Sequence, residues 1–226
     1  MQKRKSKKIL IYLFLLLLVG TISNNNLNDL KFRSISDVNI FGLDDNDEKI
    51  LLQNIKNLNL DNIFFVNRNH LVNEIELNSL VEKYSIFKRY PSSIDINIKK
   101  TDFLAKINKN GKIFYLGSNG KLTKNDFSNR PLPFIFGNPD IVEFFYIKEL
   151  IDNSKISYAD IKNLYFFSSK RWDLELKDNT VIKLPNENTN LALMLALDFL
   201  HKNDFKDEKI IDARIKNQII LDDRRN

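Results

Sequence analysis

The chain contains no cysteine, only two histidines, His70 and His201, and only six glycines in 226 residues. Without cysteine there is no disulfide framework and no Cys-based metal or redox motif, although the compartment stays open. His70 stands at the predicted start of a helix with no His, Cys or carboxylate cluster beside it, so it reads as a solvated helix-end residue. No glycine-rich phosphate loop exists: Gly120-Lys121 is followed by Leu122 instead of Ser or Thr, and Tyr115 occupies the place of the first glycine. A Gly-x-Ser-x-Gly elbow is also missing. A basic field is lacking too. Five of the 35 basic residues fall within the first eight positions, and the remaining 30 face 29 acidic ones, which excludes a globally charged nucleic-acid binder. The 43% hydrophobic content is that of a folded chain with a buried core.

What is present begins at the amino terminus. MQKRKSKK, residues 1–8, is a basic block, and ILIYLFLLLLVGTI, Ile9 to Ile22, carries no charge. As a helix this run is about 21 Å long, short of the roughly 30 Å hydrocarbon core. A cleaved signal peptide competes by length. The stretch after Gly20 lacks a clean small-residue pair, Thr21 and Ser23 being the tolerable one, and snorkelling by Lys7 and Lys8 extends a short span. These features favour an uncleaved signal anchor over 9–23. The positive-inside rule then keeps residues 1–8 cytoplasmic and carries the body across the membrane, a single-pass type II topology.

Residues 24–31 read as a polar spacer. Ile35, Val38 and Ile40, closed by Gly42, predict a strand. Asp45 with Glu48 predicts a capping box ahead of a helix carrying Ile50, Leu51, Ile55 and Leu58. The same LDDNDE cluster lacks the sixth-position glycine and twelfth-position glutamate of a calcium loop. After an extended NIFFVN, residues 62–67, a second amphipathic helix is expected from about Asn69 to Tyr84, then strands at Ser85–Pro91 and Ser93–Lys99. The order β-α-α-β-β predicts two helices on one face of a three-stranded sheet.

From Thr101 the pattern turns β-rich, with hairpin signals at Asn110-Gly111 and Asn119-Gly120, a short element at 132–137 and a helix over Pro139–Asp152. Tyr165–Phe167 predicts an aromatic strand, about Thr189–Lys202 a helix with Leu191, Leu195 and Phe199, and Lys209–Leu221 the last regular element. In RWDLELKDNTVIKLP, residues 171–185, a three-residue loop Lys177-Asp178-Asn179 with Asn179 left-handed sets Leu176, Leu174 and Trp172 opposite Thr180, Ile182 and Leu184. Trp172 is expected to be buried, and Asp173 and Glu175 to face water. That carboxylate pair is the best catalytic candidate, as in a cell-wall hydrolase, but Arg171 and Lys177 share its face and favour a solvated strand.

The order of parts resembles the FtsQ/DivIB family of bacterial cell-division proteins. The residues that carry the resemblance are Val38-Asn39-Ile40-Phe41-Gly42, Asn62-Ile63-Phe64, Lys88-Arg89-Tyr90-Pro91-Ser92-Ser93-Ile94, Leu132-Pro133 through Gly137, Arg171-Trp172-Asp173-Leu174 and Ile211-Asp212-Ala213-Arg214. The chain departs from the family at Lys100-Thr101-Asp102-Phe103 and at Ala213. The resemblance implies an α+β protein: cytoplasmic tail 1–8, transmembrane anchor 9–23, spacer 24–31, a POTRA domain over 32–100, a β domain with a mostly antiparallel sheet over 101–222, and a tail 223–226. It implies a scaffold of the division septum in the inner membrane, without catalysis, cofactor, metal, nucleic acid or small-molecule substrate. Its implied partners are FtsB and FtsL, with FtsK, FtsW and FtsI as further division proteins. FtsB-type strand addition falls on Asn217, Gln218, Ile219, Ile220, Leu221 and Asp222. The alternatives are a POTRA-containing secretion or assembly module, for which too little chain follows to build a large barrel, and the wall hydrolase.

Overall fold

A computed structural model of the chain describes residues 3–22, 34–58, 60, 63–64, 66–124, 131–202 and 210–222. The expected spacer at 24–31 and tail at 223–226 lie outside the described residues, as does part of NIFFVN, of which Ile63-Phe64 form a turn.

The first element is a helix, α1 (Lys3–Ile22), whose side chains from Ile9 to Val19 are all exposed. Among the described residues no helix is long and apolar enough to cross a membrane. The expected spanning anchor is therefore met as an exposed apolar helix, and its uncharged part is too short to count as a span.

A three-stranded sheet follows, in the order β1-β3-β2, from β1 (Asp37–Phe41), β2 (Val81–Arg89) and β3 (Ser93–Lys100). β1 runs parallel to β3 and β2 antiparallel to it. Helices α2 (Asp45–Lys56) and α3 (Arg68–Leu77) intervene between β1 and β2, giving the expected β-α-α-β-β order. Leu51, Ile55, Leu71 and Ile75 from the helices and Ile40, Val81, Ile94, Ile96 and Ile98 from the strands form one core. Two expectations fail in detail. Asp44, not Asp45, is the N-cap residue of α2 and makes no side-chain cap bond, because its carboxylate is paired with Lys100. The second helix stops at Leu77, not Tyr84: the Asn78 side chain accepts the Leu80 N–H at 2.9 Å, a local turn that competes with another helical turn. Leu80 and Val81 are buried, but Val81 already belongs to a strand.

Among the described residues the second sheet has nine strands. In chain order they are β4 (Phe103–Lys109), β5 (Lys112–Gly117), β6 (Leu122–Thr123), β7 (Phe134–Phe136), β8 (Ile161–Phe166), β9 (Trp172–Leu176), β10 (Val181–Lys183), β11 (Ile210–Asp212) and β12 (Ile220–Asp222). Their spatial order is β12-β11-β10-β9-β8-β7-β4-β5-β6. Neighbours are antiparallel except β4 with β7, β7 with β8 and β10 with β11, so the sheet is mixed. A parallel neighbour requires a crossover. α4 (Ile141–Asp152) provides it between β7 and β8, and α5 (Thr189–Lys202) between β10 and β11. α4 starts with a complete capping box between Asp140 and Glu143.

Both helices cover the same sheet face. Ile107, Ile135, Leu164, Leu174, Ile182 and Ile211, one per strand from β4 to β11, pack with Phe144, Ile147 and Ile151 of α4 and Leu193, Ala196 and Leu197 of α5. The buried stripe of α5 is thus not the expected one, for Leu191 and Leu195 are exposed along with Met194. Among the described residues the opposite sheet face carries no helix. It bears Phe134, Phe136, Tyr165, Asp173, Glu175, Lys183 and Asp212, as the strand registers require.

The hairpin at the centre has the expected form. Asn179 is left-handed at φ 69°, the Leu176 N–H donates to the Thr180 carbonyl at 2.8 Å, and Leu174 pairs with Ile182. Trp172 is 3% exposed, with its ring 4.8 Å from that of Phe166.

Candidate functional site

Residues 210–222 build the end of the large sheet. β11 lies parallel to β10, so its position is fixed by the α5 crossover rather than by a hairpin. Beyond it the chain turns. Asp212 accepts from the Arg214 backbone N–H at 3.1 Å and from its guanidinium at 2.8 Å (Nε to Oδ1) and 2.5 Å (Nη2 to Oδ2). Asn217 takes a left-handed φ of 59°, and the Gln218 N–H donates to the Ile215 carbonyl at 3.1 Å. The chain then returns as β12, antiparallel to β11, with Leu221 opposite Ile211 and Ile220 opposite Asp212.

The six residues singled out from the sequence therefore divide. Ile220, Leu221 and Asp222 are the strand at the sheet's end. Asn217, Gln218 and Ile219 lead into it, the first two from a turn rather than from the strand expected there. Asn217 was the available signal, since Asn is among the few residues that take the left-handed conformation readily. Ile219 and Leu221 pack on the core, whereas Ile220 is 47% exposed. Among the described residues, β12 has one neighbouring strand, β11. A groove runs between the start of α5 and the turn that leads into β12, walled by Pro185, Leu191, Leu195, Ile215 and Asn217.

Behind the edge stands a row of charges. Asp173, Lys183 and Asp212 are in register across β9, β10 and β11, with Arg171 and Arg214 at its margins. Asp173 is 5% exposed and Glu175 6%, which corrects the expectation that both face water. β9 has paired strands on both sides, and the long side chains of those neighbours cover its polar face. Burial pushes the Asp173 carboxyl up, against the pull of Arg171, Lys183 and Arg214. The Arg214 hydrogen bond holds Asp212 below its usual value. Glu175 is also desolvated, yet hydrogen bonds from Asn163 (2.9 Å), Tyr165 (2.6 Å) and Lys162 (3.1 Å) outweigh burial and hold it low.

With three donors bound to it, Glu175 is an acceptor that ties β8 to β9. Glu175→Ala removes that acceptor and is expected to cost about 3 kcal/mol at neutral pH, read from urea denaturation. A depressed carboxyl contributes its full stability above the unfolded glutamate range, and loses it as pH falls through the lower folded value. The parent and variant curves should therefore converge in acid. Asp173 has the opposite sign: its raised carboxyl costs stability when ionised, and acid relieves that cost. Among the described residues no group of three or more His, Cys, Asp or Glu is placed to hold a metal ion.

Two family models match the chain. "Cell division protein FtsQ/DivIB, C-terminal" covers residues 97–214, and "POTRA domain, FtsQ-type" covers residues 33–100. The first match ends before β12. Among curated proteins the chain is similar to a cell division protein FtsQ of Rhizobium radiobacter, 27% identical over 62% of this chain and 69% of the relative. It is similar to one of Agrobacterium fabrum, 27% identical over 62% of this chain and 46% of the relative, so that it spans about half that protein's length. A cell division protein FtsQ of Rickettsia bellii is 26% identical over 83% of this chain and 72% of the relative.

Proposed function

From the premise that the chain belongs to the FtsQ/DivIB family of cell division proteins, we propose that it is a non-enzymatic scaffold of the division machinery that binds FtsB, and through it FtsL, by strand addition at β12. The observation that carries this reading is the position of β12 at the end of the large sheet, with β11 as its one neighbour among the described residues. A strand in that position offers main-chain donors and acceptors to an incoming strand, while alternate side chains supply specificity. Ile220, half in solvent, gives a partner an apolar side chain among those main-chain groups. Asp222 limits indiscriminate pairing.

The same reading attaches the protein to the inner membrane through α1, with Lys3–Lys8 on the cytoplasmic side and the two sheets in the periplasm at the septum. Eleven exposed apolar side chains in succession, Ile9 to Val19, are costly in water and favourable in hydrocarbon. Local thinning of the bilayer and snorkelling of Lys7 and Lys8 make up the missing length. The POTRA domain contacts further division proteins, FtsK, FtsW and FtsI among them. Glu175, whose donors are all internal, supports a structural role for the one carboxylate pair that resembled a catalytic dyad.

The test is Ile220→Asp, which changes an exposed side chain and leaves the core-facing Ile219 and Leu221 in place. Titration with the periplasmic segment of FtsB is expected to show affinity reduced at least about tenfold, or 1.4 kcal/mol. Unchanged affinity in a variant with parental circular dichroism sinks the proposed edge. Deletion of residues 217–226 should abolish binding.

A further inference from the structure

The POTRA unit and the large sheet meet through side chains that leave few rotational freedoms between them. The turn after β5 reaches back onto the first unit. The Asn119 amide donates to the carbonyls of Ser79 and Val81, both at 2.9 Å, while its oxygen accepts the Lys121 N–H at 3.0 Å. Ser118 donates to the Glu82 carboxylate at 2.5 Å and lies 3.1 Å from the Thr101 hydroxyl, which itself donates to Glu82 at 3.4 Å. The Lys121 ammonium donates to the Glu76 carbonyl and, at 3.4 Å, to that of Asn78, placing a cation at the carbonyl end of α3. Ser79 shares a hydrogen bond with Thr123 on β6.

A tether of Thr101 and Asp102 alone would allow the two units to reorient, which is the default for domains joined by a small interface. Here the contacts come from both sides of that tether and converge: Thr101 and Thr123 are 5% and 7% exposed, so these polar groups have exchanged water for one another. Breaking the joint leaves part-buried donors and acceptors without partners, and each costs free energy until water reaches it. The joint also lies on β6, the end of the sheet opposite β12.

We propose that the turn 118–121 is a latch that makes the two units one rigid body, fixing the POTRA domain against the β6 end of the sheet and leaving β12 as the end open to a partner. The POTRA domain and the strand-addition edge then keep a constant separation and angle. A partner held at one is delivered in a set geometry to the other.

Because the chain has no cysteine, Lys49→Cys on α2 and Ser169→Cys after β8, both exposed, give a unique pair of spin-label sites. Electron–electron resonance on the full chain in detergent is expected to give one narrow distance peak. In the same labelled chain, Asn119→Ala with Glu82→Ala should broaden or split it, and Lys121→Ala alone should broaden it less. A broad peak in the parent overturns the rigid body. A narrow peak that survives all three substitutions, with circular dichroism unchanged, overturns the assignment of the latch to these side chains. The readout does not involve FtsB, so it stands or falls separately from the strand-addition reading.

Discussion

Trp172→Ala is expected to destabilise the large-sheet unit by about 3–5 kcal/mol, the range for removing a buried large aromatic. Trp172 lies on β9, between β8 and β10, and is 3% exposed in a core to which both crossover helices contribute. Removing the indole takes away the partner of Phe166 at 4.8 Å and leaves a cavity bounded by strands. Strands hydrogen-bonded on both sides cannot close inward, so little of the cavity term should be recovered by relaxation. For a unit of this size the loss corresponds to a fall in Tm of roughly 10–20 °C, to be read by scanning calorimetry. The same measurement separates two uses of a lone tryptophan. A ring serving as a platform for a ligand would cost under about 1 kcal/mol when removed, and such a value would reopen the binding role that burial argues against.

The hairpin containing Trp172 was legible because two local signals agree: period-two alternation chose the faces, and Asn179, tolerant of positive φ, chose the loop length. The burial of Asp173 and Glu175 was not legible from the same residues. Alternation assigns them to the face opposite Trp172, but whether that face is wet depends on Lys162, Asn163, Tyr165 and Lys183, delivered by neighbouring strands. The strand order that brings them there is a nonlocal property. α3 shows a similar limit. Leu71, Ile75, Leu80 and Val81 share a helical spacing on paper, and the break comes at Asn78, whose side-chain oxygen accepts the Leu80 N–H. At the candidate edge the apolar run Ile219-Ile220-Leu221 marked the strand, whereas its place at the sheet's end follows from the α5 crossover, which sets β11 beside β10, and from the turn at Asn217, which returns the chain against β11.

Gly42→Ala is expected to unfold most of the POTRA unit, although the residue is exposed. Gly42 follows β1 at φ +99°, a conformation that alanine rarely adopts, and a Cβ there would lie 1.9 Å from the Ile98 carbonyl oxygen and 3.0 Å from its carbon. Both obstacles are backbone of β3, the central strand of this sheet, so no rotamer change can make room. β1 must instead draw away from β3, which breaks parallel pairing from Val38–Ile94 to Phe41–Asn97 and exposes Ile40. Strain at such a φ costs of order 1–3 kcal/mol before the clash is counted, and a domain of this size has only about 5 kcal/mol to lose. Gly111→Ala is the control: φ is +77°, but nothing lies within 4 Å of the added Cβ, so only the turn strain of about 1 kcal/mol applies. Hydrogen exchange read strand by strand should show protection lost in β1 and β3 of Gly42→Ala and kept in β8 and β9, while Gly111→Ala retains both. Protection surviving at β1 in Gly42→Ala would mean that β1 can slide along β3, and the close approach at Ile98 would then not be what holds this sheet in register.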